Sequence, residues 1–155
     1  MNKYKTEVKW ALIFSAMAIA WAFIGKLSGM TDSRIDKLQL FNSLVLIPGF
    51  IIYLLALLDK KKQGPQTYKQ GLISGLVLTL FVTILGTLTT FISTRLISPE
   101  LFPNIIRYMV NTGQMSPEQA AQQFNLSTFI ITGLIAGPVT GLIFSLVAAA
   151  FTRRK

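Results

Sequence analysis

The sequence predicts an all-α integral membrane protein with four transmembrane helices and a partly helical, amphipathic outer loop between the third and the fourth. Three observations carry that prediction. The chain of 155 residues is 52% hydrophobic and 14% charged, whereas roughly a quarter of the residues of a soluble domain are charged. Its apolar residues gather into four blocks, 10–25, 38–58, 71–93 and 128–151. The last three blocks hold no charged residue and match the ~20 helical residues that cross a ~30 Å hydrocarbon core. Residues 1–155 are thus expected to form one four-helix transmembrane domain.

The first block is short: sixteen residues reach only roughly 24 Å at a 1.5 Å rise. The span is therefore expected over 10–30, through Lys26. A lysine near a helix end can snorkel its ammonium to the headgroups, whereas at the centre it would cost about 2.5–3.5 kcal/mol. A cleavable signal peptide is the rival reading, with Lys3 and Lys5 as its basic start and Ala18-Ile19-Ala20 as a small-x-small cleavage site. The apolar run continues past that site as Trp21-Ala22-Phe23-Ile24-Gly25, which favours retention of residues 1–20. The spans 38–58 and 128–151 contain Pro48-Gly49 and Gly137-Pro138. Each proline frees a backbone carbonyl and is expected to kink its helix.

Charge predicts orientation. Ten of the fifteen basic residues fall on one side of the spans: Lys3, Lys5, Lys9, Lys60, Lys61, Lys62, Lys69, Arg153, Arg154 and Lys155. The positive-inside rule places that side, with both termini, in the cytoplasm. Lys60, Lys61, Lys62, Arg153 and Arg154 are accordingly candidate contacts for anionic lipid headgroups, at about 1 kcal/mol per basic residue near the surface.

Residues 94–127 then lie outside. Ser98-Pro99-Glu100 and Ser116-Pro117-Glu118 each offer a capping hydroxyl, a proline suited to the first helical position and an acid near the positive helix end. Ser116 and Gln119 also have capping-box spacing. Leu101, Phe102, Ile105, Ile106 and Met109 share one helical face. Pro103 predicts a turn ending near Phe102 and a helix from Pro103 to Val110, stopped by Asn111-Thr112-Gly113. That apolar face either caps the bundle beside the bilayer, the favoured reading, or docks a partner outside the cytoplasm.

The pieces YKTEVKWALIF, YLLALLDKKK followed by TYKQGLISGL, ISPELFPNIIRYMVNTGQMSPEQAAQQFN and the ending FTRRK resemble the small bacterial membrane proteins catalogued as domain of unknown function 4199. The resemblance covers the whole chain. It implies four spans in the bacterial cytoplasmic (inner) membrane and no assigned activity, so it brings no functional residues with it.

Within the spans, small residues recur every four positions. Gly71, Gly75, Thr79, Thr83 and Thr87 form one ridge, and Gly133, Gly137, Gly141, Ser145 and Ala149 another. Such ridges allow close helix crossings. Packing within one bundle is favoured over a homo-oligomer seam. The threonines, with Thr90 and Thr94, could also line a wet path, but threonine commonly bonds the carbonyl four residues back. No ionisable residue lies within the blocks 38–58, 71–93 and 128–151, which disfavours ion-coupled transport.

Soluble-type chemistry has little to work with. The chain has no histidine and no cysteine, so thiolate catalysis, disulfides and typical zinc sites are excluded, and no cofactor is expected. It has no phosphate-binding glycine loop, and its basic groups sit at helix ends rather than on a nucleic-acid-binding surface. Asp32, Asp36, Glu100 and Glu118 share the outer face without a spacing that arranges them for catalysis. The sequence therefore favours an accessory or scaffolding protein acting through helix and loop contacts. An oligomeric pore or carrier for a neutral or lipid-like solute, lined by Thr83 and Thr87, is the alternative, and an enzyme ranks last.

Overall fold

The computed structural model describes residues 3–154. Seven α-helices cover most of them, and no strand occurs among the described residues. Helix α1 is Lys5–Leu27, α2 is Leu38–Leu44, α3 is Leu46–Lys61, α4 is Tyr68–Phe91, α5 is Leu101–Asn111, α6 is Pro117–Gln123 and α7 is Leu126–Thr152. A 3-10 turn, Ile35–Lys37, leads into α2, and a π-helical segment, Ile92–Ile97, extends α4. Four segments are long and apolar enough to cross a membrane: α1, the Ile35–Lys61 run, Tyr68–Ile97 and α7.

The first span departs from its expected bounds. It gains length at its start, where α1 begins at Lys5, and ends at Leu27 rather than Met30. Its 23 residues reach roughly 34 Å. The reason lies in what α1 can bury: Ala11 is fully covered, and Thr6 and Glu7 are buried before the apolar block begins. Lys26 does not reach only for headgroups. Its ammonium donates to the carbonyl of Ile97, at the end of the π-helical segment, where the carbonyls have lost their regular helical partners. Gly29, at φ 77°, then turns the chain, a left-handed conformation that glycine adopts without a Cβ clash.

The second span is interrupted at Val45, one residue after the carbonyl that Pro48 leaves without a helical partner. Pro48 has no N–H to give the carbonyl four residues back, and that residue, Leu44, is the last of α2. Helical bonding resumes when the Gly49 N–H donates to the Val45 carbonyl at 3.0 Å. Trp21 of α1 stacks on Phe41 of α2 with centroids 4.7 Å apart, seating the first half of this span. In α7, by contrast, the helix runs unbroken through Pro138.

The connection between α4 and α7 is helical but begins differently from expectation. Ser98 caps nothing: it is buried, its Oγ has no partner, and Glu100 occupies the N-cap position of α5. The helix starts at Leu101, two residues before Pro103. Pro103 is thus third in the first turn, where its missing N–H has no intrahelical partner to lose. Ser116 and Gln119 form the reciprocal capping box, with Pro117 at the first position of α6. Asn111 ends α5, and Gly113 follows at φ 69°.

The core is built mainly from α4 against α7, with α1 and α3 packed around that pair. Ala11, Tyr53, Ala56, Leu57, Leu78, Ala148 and Ala149 form its buried centre. Tyr53 meets Phe14 and Phe144 edge to face, at 6.1 and 5.4 Å. Its hydroxyl lies 3.0 Å from Thr79 Oγ1. Tyr53→Phe is expected to lower stability by about 1 kcal/mol, as one neutral hydrogen bond is lost. Thermal unfolding in detergent measures it, and Thr79 keeps its bond to the Gly75 carbonyl at 2.8 Å.

Candidate functional site

The two small-residue ridges face each other in one antiparallel register. A Cβ added to Gly71 would lie 3.3 Å from that of Ala149, and one on Gly75 only 2.6 Å from Ser145 Cβ. One turn further, a Cβ on Gly141 would fall 2.8 Å from Thr79 Cβ. Gly137 is looser, its added Cβ at 3.4 Å from Thr83 Oγ1, and Gly133 has nothing within 4 Å. The pair therefore crosses tightly at the basic end and opens toward the end that α5 caps. The hydroxyls along the seam are mostly turned onto their own helices: Thr79 donates to Gly75 and Ser145 to Gly141, at 2.8 and 2.6 Å.

Where the seam opens, a cavity of about 270 Å³ sits among α1, α3, α4 and α7. Thr83, Thr87 and Thr90 of α4, Gly133 and Gly137 of α7, and Phe14 and Tyr53 line it. Its walls are chiefly apolar, and Thr83 Oγ1 is a buried hydroxyl without a partner. Such a space can hold a small neutral group. No carboxylate, amine, imidazole or thiol lines it, and among the described residues no cluster of acids, histidines or cysteines could hold a metal.

The candidate outer interface is largely spent inside the molecule. Ile105 is 5% exposed, and Phe102 meets Phe129 of α7 edge to face at 4.9 Å. Asn104 donates to the Thr31 carbonyl at 2.9 Å, tying α5 to the turn before α2. Leu101, Ile106 and Met109 are half-buried. The five residues together form the underside of a cap more than an open face.

The basic groups also separate into two kinds. Lys60 turns inward: its ammonium lies 3.0 Å from Glu7 Oε1 and donates to Glu7 Oε2 at 3.1 Å and to the Lys3 carbonyl at 2.9 Å. Ser74 donates to Glu7 Oε1 at 2.7 Å, and Gln63 to Thr6 Oγ1 at 2.6 Å. Lys62, Arg153 and Arg154 are exposed, while Lys61 reaches the Arg153 carbonyl at 3.4 Å. Lys9 pairs with Asp59, which also accepts from Trp10 Nε1 at 2.9 Å. The start of α1, the end of α3 and the end of α7 thus meet at one end of the bundle.

Sequence reasoning missed the Glu7 cluster, because Glu7 precedes the apolar block that marked the first span. A signal was present: Glu7, Ala11 and Phe14 share the i, i+4, i+7 face that α1 buries.

These features define a multi-pass, all-helical membrane protein with four spanning segments and a helical cap over one end. A family model described as a protein of unknown function (DUF4199) matches residues 9–154. The chain belongs to that family. No curated protein and no solved structure matches it.

Proposed function

We propose that the protein is an accessory or scaffolding subunit of the bacterial inner membrane that works by helix contact with another membrane protein. Its basic end faces the cytoplasm on this reading, in keeping with the positive-inside bias. One observation carries the proposal: where α4 and α7 part, the α7 ridge loses its close partner and borders the Thr83 cavity instead. An added Cβ on Gly133 meets nothing within 4 Å, and Ile131, Leu134, Ile135 and Val139 on the other faces of the same stretch are exposed. Lipid tails satisfy large apolar side chains, whereas an open glycine ridge suits the close approach of a second helix.

The experiment is affinity purification of the tagged protein in mild detergent, with mass spectrometry of retained partners. Wild type is expected to hold a stoichiometric partner. Gly133→Leu should lose it while leaving thermal stability within about 0.5 kcal/mol, since an added Cβ there meets nothing within 4 Å. Equal partner recovery from both, or none from wild type, contradicts the proposal. The cavity at Thr83, with its unpartnered hydroxyl, supports the second reading, a carrier or pore for a neutral or lipid-like solute. Flux through liposomes that Thr83→Val abolishes would favour it.

A further inference from the structure

We infer that a cavity under the helical cap, between α1, α2 and α4, binds the ring of a neutral membrane lipid with carbonyl or hydroxyl groups on opposite edges, the chemistry of a para-quinone. The cavity measures about 260 Å³. It shares Thr89 and Thr90 with the cavity at Thr83 and no residue with the α7 ridge, so the inference does not rest on the helix contact proposed above.

Hydrogen-bonding groups reach this space from two helices. Thr89 and Thr94 are spent on their own helix, donating to the Gly86 and Thr90 carbonyls at 3.0 and 2.8 Å. Thr90 and Ser93 of the same stretch and Asn42 of α2 also line the cavity, yet among the described residues none of these three side chains has a hydrogen-bond partner. None is sealed away either: Thr90 and Ser93 are half-buried, and Asn42 is exposed. Asn42 stands roughly 10 Å along its span from the start at Ile35, too deep for so short a side chain to snorkel to the headgroups. An amide left without a partner in hydrocarbon costs free energy, and a ligand that accepts its hydrogen bond removes that cost.

The lining selects a neutral, flat ligand. No charged residue borders the cavity, so nothing there compensates a phosphate or a carboxylate. Trp21 and Phe41, stacked with centroids 4.7 Å apart and planes 21° apart, line it together with Phe129. A flat ring packs on such aromatic surface by offset or edge contacts. Size agrees: a cavity of about 150 Å³ holds benzene, so this one admits a substituted ring and the first atoms of a tail. The tail can leave past α2, where Leu40 and Leu44 are exposed. A rigid ring with polar atoms on opposite edges engages Asn42 on one helix and Ser93 or Thr90 on the other without the ordering that a flexible glyceride ester would cost. Amide and hydroxyls offer both donors and acceptors. The oxidised and the reduced ring therefore match alike, and the inference is one of binding alone.

Tryptophan fluorescence reads the site directly, because Trp21 lines the cavity and the other tryptophan of the chain, Trp10, bonds Asp59 at the basic end. Full-length Trp10→Phe protein in detergent is titrated with a decyl-substituted benzoquinone, which quenches indole emission on contact. Quenching should saturate at one quinone per chain. Asn42→Leu should weaken binding by about tenfold and Ser93→Ala by about threefold, with the melting temperature unchanged. Ser43→Ala, which removes a hydroxyl that bonds the Gln39 carbonyl outside the cavity, should leave binding as it was. If Asn42→Leu fails to fold, Ser93→Ala reads the loss. Quenching that rises without saturation, or saturation undiminished in both cavity variants, overturns the inference. So does displacement of the quinone by dioleoylglycerol at equal mole fraction, which would assign the cavity to a glyceride.

Discussion

Gly75→Leu is expected to destabilise the folded bundle by about 3 kcal/mol or more, at or beyond the upper end of ordinary overpacking. Even the first carbon of the new side chain would lie 2.6 Å from Ser145 Cβ and 3.2 Å from Ser145 Cα. Backbone cannot yield as a flexible side-chain end can, and Ser145 is further held by its bond to the Gly141 carbonyl. Relief would require α4 and α7 to separate along the tight part of their crossing, uncovering Leu78 and Ala149. Gly133→Leu is the matched control on the facing ridge. Open space surrounds it, so its effect on stability should stay within about 0.5 kcal/mol. Thermal unfolding in detergent measures both. Equal loss from the two would mean that the seam does not narrow toward the basic end.

Lys60→Met should cost about 3 kcal/mol. Glu7 is 4% exposed at its side chain, and its carboxylate would be left with Ser74 alone. Breaking a buried ion pair by removing one partner typically costs about 3–5 kcal/mol. The 25% exposure of Lys60 keeps the figure near the lower bound, because water already screens part of the attraction. Adding Glu7→Gln to Lys60→Met should restore most of that stability, since the unpaired charge is then gone. The double-mutant cycle in detergent isolates the coupling. A double variant no more stable than Lys60→Met would show that packing of the lysine stem, and not charge, holds this end together.

Much of the architecture was legible because bilayer length and apolar runs are strong constraints. The expected blocks 38–58, 71–93 and 128–151 correspond to the helical runs Ile35–Lys61, Tyr68–Ile97 and Leu126–Thr152. The proline at position 48 marked the break between α2 and α3, and Ser116 with Gln119 marked the start of α6. Errors arose where a polar residue was read by type rather than by partner. Ser98 has the composition of a cap but is buried, while Glu100 leads α5. Lys26 does sit in the last turn of α1, but the sequence could not show that its ammonium serves the Ile97 carbonyl, 71 residues away. Glu7 precedes the apolar block, and nothing in the sequence marked a partner for it. Its burial depends on Lys60 and Ser74 arriving from two other helices. The spacing showed small ridges on α4 and α7 but not where they part, because that depends on the relative tilt of two helices.

The central claim, a proposal, is that the stretch of α7 around Gly133, where its ridge parts from α4, meets a different membrane protein. A photo-crosslinking amino acid at position 133, activated in intact native membranes, tests this most directly. A discrete adduct with one other protein is predicted, absent when the same group stands at lipid-facing position 80, where Leu80 is exposed on α4. Adducts with lipid alone, or with a second copy of this chain, would contradict the account.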